Sequence, residues 1–365
     1  MADVSEFRNI TLADRHDPYQ QHHQYHHDTA SSNSAHNVGN KINLYSVRWL
    51  HLPSTVGNLS LAMSRSQSKS MIQKAIQFIY YKNGHLLAKL SPGDEESQED
   101  MTYVAQKCGG KEKTAFIYHG WTESCSTDWV GKLRERLTFY RGGCIICVDY
   151  SSWSKKPYLD LVQKFDIISQ ILYDEILELI RRGVNPSNGY MFGFSYGGQL
   201  ASKIGRMLIH YNDYTFKQID MCDIAGPGFD FLSYATHSEA AENVACYYAS
   251  LDKGTQFRSC HQNILLGHCG YTQPAILSQP YFSSHGLSVQ IYINAFDYPF
   301  YASSRLPPWC LAGNPVLNLP EGFKIGYNGD IGGHIQGDIF VPTSLNYPYN
   351  LSKRQLKAYE EYYNG

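Results

Sequence analysis

Residues 191–201 read MFGFSYGGQLA. An apolar run ends in a G-x-S-x-G pentapeptide, Gly193 to Gly197, and a helical pattern follows at once. This is a strand, a sharp turn and a helix in a row. Flanking glycines let the chain reverse tightly and leave the hydroxyl of Ser195 exposed at the end of a sheet. The helix N-terminus behind it favours developing negative charge. A serine hydroxyl is a weak nucleophile unless a base takes its proton, so the stretch sends the search outward for an acid, a base and an oxyanion site.

The surrounding pattern supports that setting. Upstream, TAFIYHG (114–120) and CIICVDY (144–150) read as short buried strands, and DWVGKLRERLTFY (128–140) has helical spacing. Residues 158–182 place apolar side chains at three- and four-residue intervals, predicting one long amphipathic helix that stops at Gly183. KQIDMCDIAG and NVACYYAS follow as strands. Alternating buried strands and helices predict a mostly parallel sheet covered on both faces. Residues 1–42 are a polar, His- and Gln-rich segment expected to be a disordered tail, and SPGDEESQED (91–100) a loose interruption.

With 365 residues and a formal charge of −2, the chain can bury a large core and lacks the basic excess of a nucleic-acid partner. No run is long enough to span a membrane, and no leader is visible in the polar, charged opening stretch MADVSEFRNI. The nine cysteines form no C-x-x-C pair. Cys260 and Cys269 suit a short disulfide loop better than a zinc site, so neither a metal nor a cofactor is expected.

A tetrahedral intermediate needs backbone N–H donors. The residue after the nucleophile, Tyr196, supplies one, and the glycine at the end of TAFIYHG makes the Trp121 amide the candidate for the second. An acid is expected after the nucleophile at a later strand end. Asp223 lies where the apolar run of IDMCDIAGPGFD gives way to G-P-G; Asp220 comes too early and Asp230 lies past the turn.

The segments YHGWTE, VDYSSWS, GFSYGGQLA, CDIAGPGFD, GHCGYTQPA and IGYNGDIGGHIQGDIFVPTS resemble, in order and spacing, the neutral (pancreatic-type) lipase family over about residues 72–349. The DKGT and CHQ segments are similar to its insect lipase-like, yolk-protein-like branch. The resemblance implies an α/β-hydrolase domain over 43–350, a C-terminal tail over 351–365 and no C-terminal β-sandwich. It also implies a secreted protein acting on lipid or phospholipid esters in contact with a lipid surface. It makes Ser195 the nucleophile, Asp223 the triad acid and the Trp121 and Tyr196 amides the oxyanion hole. It reads 250–269 as containing a short lid, and it suggests the pairs Cys125–Cys144, Cys222–Cys246 and Cys260–Cys269.

The departure is at the base. Aligned on NVACYYASLDKGT, the family histidine position falls on Tyr248. A tyrosine is neutral at pH 7 and accepts a proton poorly. His268 in LLGHCGY is the first candidate for a surrogate base, with His237, His261, His285 and His334 as the remaining set. With the base displaced, turnover is expected to be impaired or lost. Two functions then compete: a triacylglycerol lipase or sn-1 phospholipase type of ester hydrolase, and a non-catalytic homologue that binds lipid or a protein.

Overall fold

The computed structural model describes residues 69–94, 97–230, 236–279, 281–316, 318–329 and 335–363, all within the unit Ser66–Gly365. The 1–42 segment lies outside the described residues.

Nine strands form one sheet. In chain order its members are β1 (Gln77–Lys82), β2 (His85–Leu90), β3 (Thr114–Tyr118), β4 (Cys144–Asp149), β5 (Gly189–Phe194), β6 (Gln218–Cys222), β7 (Asn243–Tyr248), β8 (Gln262–Leu266) and β11 (Gly337–Val341). The short pair β9 (Phe300–Tyr301) and β10 (Lys324–Ile325) stands apart from it. Across the sheet the order is β11-β8-β7-β6-β5-β3-β4-β1-β2. Every neighbour from β11 to β4 runs parallel, and β1 runs antiparallel to both of its neighbours, β4 and β2. β3, β5 and β8 are buried at every position, as strands covered on both faces must be.

The longer helices among the described residues are α1 (Ser97–Cys108), α2 (Asp128–Tyr140), α3 (Phe165–Arg181), α4 (Tyr196–Asn212), α5 (Ser284–Asn294) and α6 (Lys353–Tyr362). Two apolar layers result. On one face α1, α3 and α4 cover Phe116, Ile146, Met191 and Ile219. On the other, α2 and α5 cover Ile117, Cys147, Phe192 and Ile264. The alternation of side chains along a strand sends its neighbours to opposite layers. This is the α/β-hydrolase arrangement expected from the sequence.

Several boundaries differ. The helix expected over 158–182 is broken at Lys164 into Tyr158–Gln163 and α3, because Lys164 takes φ −95° and ψ 3°. The loose stretch at 91–100 gives way to α1 from Ser97. The 351–365 tail contains α6, started by a capping box in which Ser352 and Gln355 satisfy each other's backbone N–H groups. Glu360 of that helix accepts the Ser303 hydroxyl at 2.7 Å. Of residues 250–269, read as containing the lid, 262–266 are β8, locked between β7 and β11, which leaves the 250–261 loop as the longest stretch outside a strand.

All three suggested cysteine pairs are replaced. The bonds are Cys108–Cys144, Cys125–Cys147, Cys246–Cys260 and Cys269–Cys310, and Cys222 is free and buried. Side-chain parity explains part of this. Cys144 and Cys147 on β4 fall in opposite layers, so Cys144 meets α1 and Cys147 meets the loop before α2. Cys222 faces the layer away from Cys246, so the two cannot pair.

Candidate active site

The turn after β5 has the strained geometry that the pentapeptide predicts. Ser195 adopts φ 54° and ψ −120°, a left-handed value that a non-glycine residue holds only when its surroundings impose it. Its amide donates to the Cys222 carbonyl at 3.0 Å, and its own carbonyl accepts the amide of Ala225 at 3.1 Å. These bonds fix the serine against the end of β6. Both glycines are required by close approach. A Cβ on Gly193 would lie 2.5 Å from the Gly197 carbonyl oxygen, and one on Gly197 would lie 2.3 Å from that of Tyr118. So α4 starts directly against the end of β3.

Asp223 follows β6 and is almost wholly buried. Four donors surround it. The amides of Ala249 and Ser250 donate to Oδ1 at 2.7 and 3.1 Å, and the Ser250 hydroxyl donates to Oδ2. The fourth is the imidazole of His285, whose Nδ1 lies 2.6 Å from Oδ2. An acceptor-only carboxylate makes Nδ1 the protonated nitrogen, which leaves the lone pair of the neutral ring on Nε2.

His285 sits in the first turn of α5, after the N-cap Ser283, whose side chain accepts the Gly286 amide. Its ring packs on Phe194, the residue before the serine, with centroids 4.7 Å apart. Ser195 and His285 line one cavity of about 420 Å³ together with Trp121, Glu123, Tyr158, Ala225, Pro227 and Lys253.

Tyr248 and His268 do not belong to this site. The Tyr248 hydroxyl donates to the Phe257 carbonyl at 2.9 Å and lies 3.2 Å from Asn263 Oδ1. Burial pushes that phenol far above its ordinary pKa, and the residue does not line the cavity. His268 turns its ring onto Trp309, 5.3 Å between centroids, and is also absent from the lining. His237 is tied to the Ser202 hydroxyl at 2.7 Å, and burial lowers its pKa to about 4. His261 accepts the Val244 amide, and His334 lies outside the described residues. The missing base of the sequence reading is thus a matter of alignment: the histidine that meets Asp223 comes from the helix after β8, not from the end of β7. Two features were visible in the sequence, though neither singles it out from the other downstream histidines. A base after the acid in chain order was required, and Ser283 is a helix N-cap just before it.

The loop after β3 is held by a carboxylate that sequence reasoning did not single out. Glu123 Oε2 accepts the Gly120 amide at 2.7 Å and Oε1 accepts the Trp129 indole at 2.8 Å. Burial raises the Glu123 pKa, and its two donors and nearby His285 pull it back. Trp121 lies between, lining the cavity while 42% exposed, with its indole N–H on the Lys156 carbonyl. Among the described residues, neither the Trp121 amide nor the Tyr196 amide finds an acceptor. Both are available to an incoming oxygen.

Comparison with known proteins gives the family. A family model described as Lipase matches residues 53–238. Pancreatic triacylglycerol lipase of Oryctolagus cuniculus is 32% identical over 95 residues, 26% of this chain and 20% of its own. Pancreatic lipase-related protein 2 of Bos taurus is 24% identical over 221 residues, 59% of this chain and 46% of its own. A solved esterase from Pyrobaculum calidifontis aligns at 14% identity over 53% of this chain and 74% of its own, with a TM-score of 0.26. The chain covers less than half the length of the curated relatives named here.

Proposed function

As a chain that belongs to the lipase family, this protein is, we propose, an active serine hydrolase of lipid carboxylic esters. The observation that carries the reading is the 2.6 Å contact of His285 Nδ1 with Asp223, in the cavity that Ser195 also lines. Ser195 Oγ attacks the ester carbonyl carbon and its proton passes to His285 Nε2. The Trp121 and Tyr196 amides stabilise the oxyanion. Collapse breaks the ester C–O bond, and the imidazolium returns the proton to the departing alkoxide. Water, deprotonated by the same imidazole, then attacks the acyl carbon; the C–Oγ bond breaks, and the imidazolium returns its proton to Ser195 Oγ as the carboxylic acid leaves. Asp223 orients the ring and stabilises its charged form.

The substrate class rests on the family and on the cavity. Its walls are largely apolar, and Trp121 at the rim is exposed enough to meet a lipid surface. Triacylglycerol and the sn-1 ester of a phospholipid both fit this description. Four disulfides support export to an oxidising compartment. Incubating wild type and Ser195→Ala with a short p-nitrophenyl ester, a triacylglycerol emulsion and phospholipid vesicles tests the proposal. Hydrolysis that disappears in the variant, with fluorophosphonate labelling of Ser195, is the expected result. Failure of the wild type to hydrolyse or label would return the reading to a binding homologue.

A further inference from the structure

Helix α5 has no backbone ladder to hold it against the sheet. A strand is fixed by hydrogen bonds to both neighbours, whereas a helix lying on a sheet is fixed by the side chains it buries. His285, in the first turn of α5, therefore meets Asp223 only if something else sets how α5 is rolled.

Tyr292 stands about two turns further along the same face of α5. It is fully buried, and its hydroxyl donates to Oδ2 of Asp220. Asp220 is also fully buried, on β6, the strand whose end carries Asp223. Tyr190 of β5 donates to the same oxygen at 3.1 Å and lies 2.6 Å from the Tyr292 hydroxyl. Gln218 donates to Oδ1 at 2.8 Å. Burial raises the Asp220 pKa to about 6, and the three donors with nearby Arg141 oppose the rise. Taking a carboxylate out of water is costly unless its oxygens are satisfied, and packing alone calls for no charge at this place. One carboxylate within β6 and one just after its end thus each hold one side chain of one helix, Asp220 through Tyr292 and Asp223 through His285.

We infer that Asp220 and Tyr292 are a positioning pair that sets the roll of α5 and so aims His285 at Asp223 and Ser195. The inference rests on the reading of His285 as the base. Its control is built into the cluster. Tyr190 gives the same carboxylate a hydroxyl, but it comes from β5, already locked between β3 and β6.

The test compares wild type, Tyr292→Phe and Tyr190→Phe by p-nitrophenyl ester kinetics, thermal unfolding and the proton NMR resonance of His285 Nδ1–H. The resonance is assigned by its absence from His285→Gln. Tyr292→Phe is expected to lower kcat about ten- to a hundredfold with KM little changed, and to broaden or abolish the resonance. Tyr190→Phe should lose thermal stability yet keep kcat and the resonance. Equal losses in both variants, or none in Tyr292→Phe, would overturn the inference. If Tyr292→Phe does not fold, Asp220→Asn, which keeps the shape, takes its place against the same expectations. A wild type that hydrolyses nothing while the resonance still separates the two variants would sink the catalytic reading and leave the positioning pair standing.

Discussion

His285 and Asp223, 62 positions apart in the chain, are joined by a 2.6 Å hydrogen bond, and His285 lines the same cavity as Ser195. That contact is the reason for proposing His285 as the base. His285→Ala should lower kcat on a short ester by about a thousandfold or more, since loss of one triad member removes most of the rate. Tyr248→His should bring no gain, because the side chain points at Phe257 and Asn263 and away from the site. A rise in rate in Tyr248→His would overturn the assignment.

Gly254 lies beside the same carboxylate. A Cβ there would stand 2.6 Å from Asp223 Oδ1, and the loop is tied down by the Gly254 amide on Ser250 Oγ at 3.1 Å. Gly254→Ala should therefore displace Asp223 and reduce kcat about ten- to a hundredfold, with a smaller change in KM. Steady-state kinetics on a soluble ester read this directly, and an unchanged kcat would show that the loop gives way instead.

Glu123 holds the loop after β3, the proposed oxyanion loop, through Gly120 and Trp129. Glu123→Ala frees that loop and, with it, the Trp121 amide. The expected outcome is a fall in kcat of about a hundredfold, the scale of one lost oxyanion donor. Fluorophosphonate labelling of Ser195 should slow in parallel, since the phosphoryl oxygen uses the same donors.

Glu175 on α3 is buried, its Oε1 has no hydrogen-bond partner among the described residues, and desolvation followed by nearby Glu178 raises its pKa from 4.5 to about 7. Between those two values the folded state binds more protons than the unfolded state. Stability from this group is therefore present at low pH and is lost as pH rises to 7, by about 3 kcal/mol. Glu175→Gln, which cannot ionise, should match wild type near pH 4 and exceed it at pH 8 by up to that amount in urea unfolding. Curves that stay parallel across this range would refute the burial argument.

Eight of the nine cysteines are bonded and the ninth, Cys222, is buried. Thiol titration of oxidised protein should find no reactive thiol in the native state and one per chain in denaturant. Several thiols in denaturant would point to a reducing compartment.

Much of this was legible in the sequence. The strand–turn–helix around Ser195, the run into Asp223 and the alternation of buried strands with helices are local patterns, set by side-chain period and by where glycine must stand. His285 was visible only as one of several downstream histidines. Its own neighbourhood, SSHGLS, marks a helix start and nothing more. Tyr248 looked like the base position because it ends the strand beside β6, yet its side chain falls in the same layer as Cys246, turned away from Asp223's partner.

The sequence by itself determined the strand–turn–helix at Ser195, the strand end that carries Asp223 and the layered sheet, because each depends on residues within a few positions of one another. Only the tertiary structure decided which histidine meets Asp223, which cysteines bond and which carboxylate braces α5. Those pairings follow from the order β8-β7-β6-β5 and from where α5 lands after β8. No local spacing encodes them, because the length of a connecting loop says little about where its far end will pack.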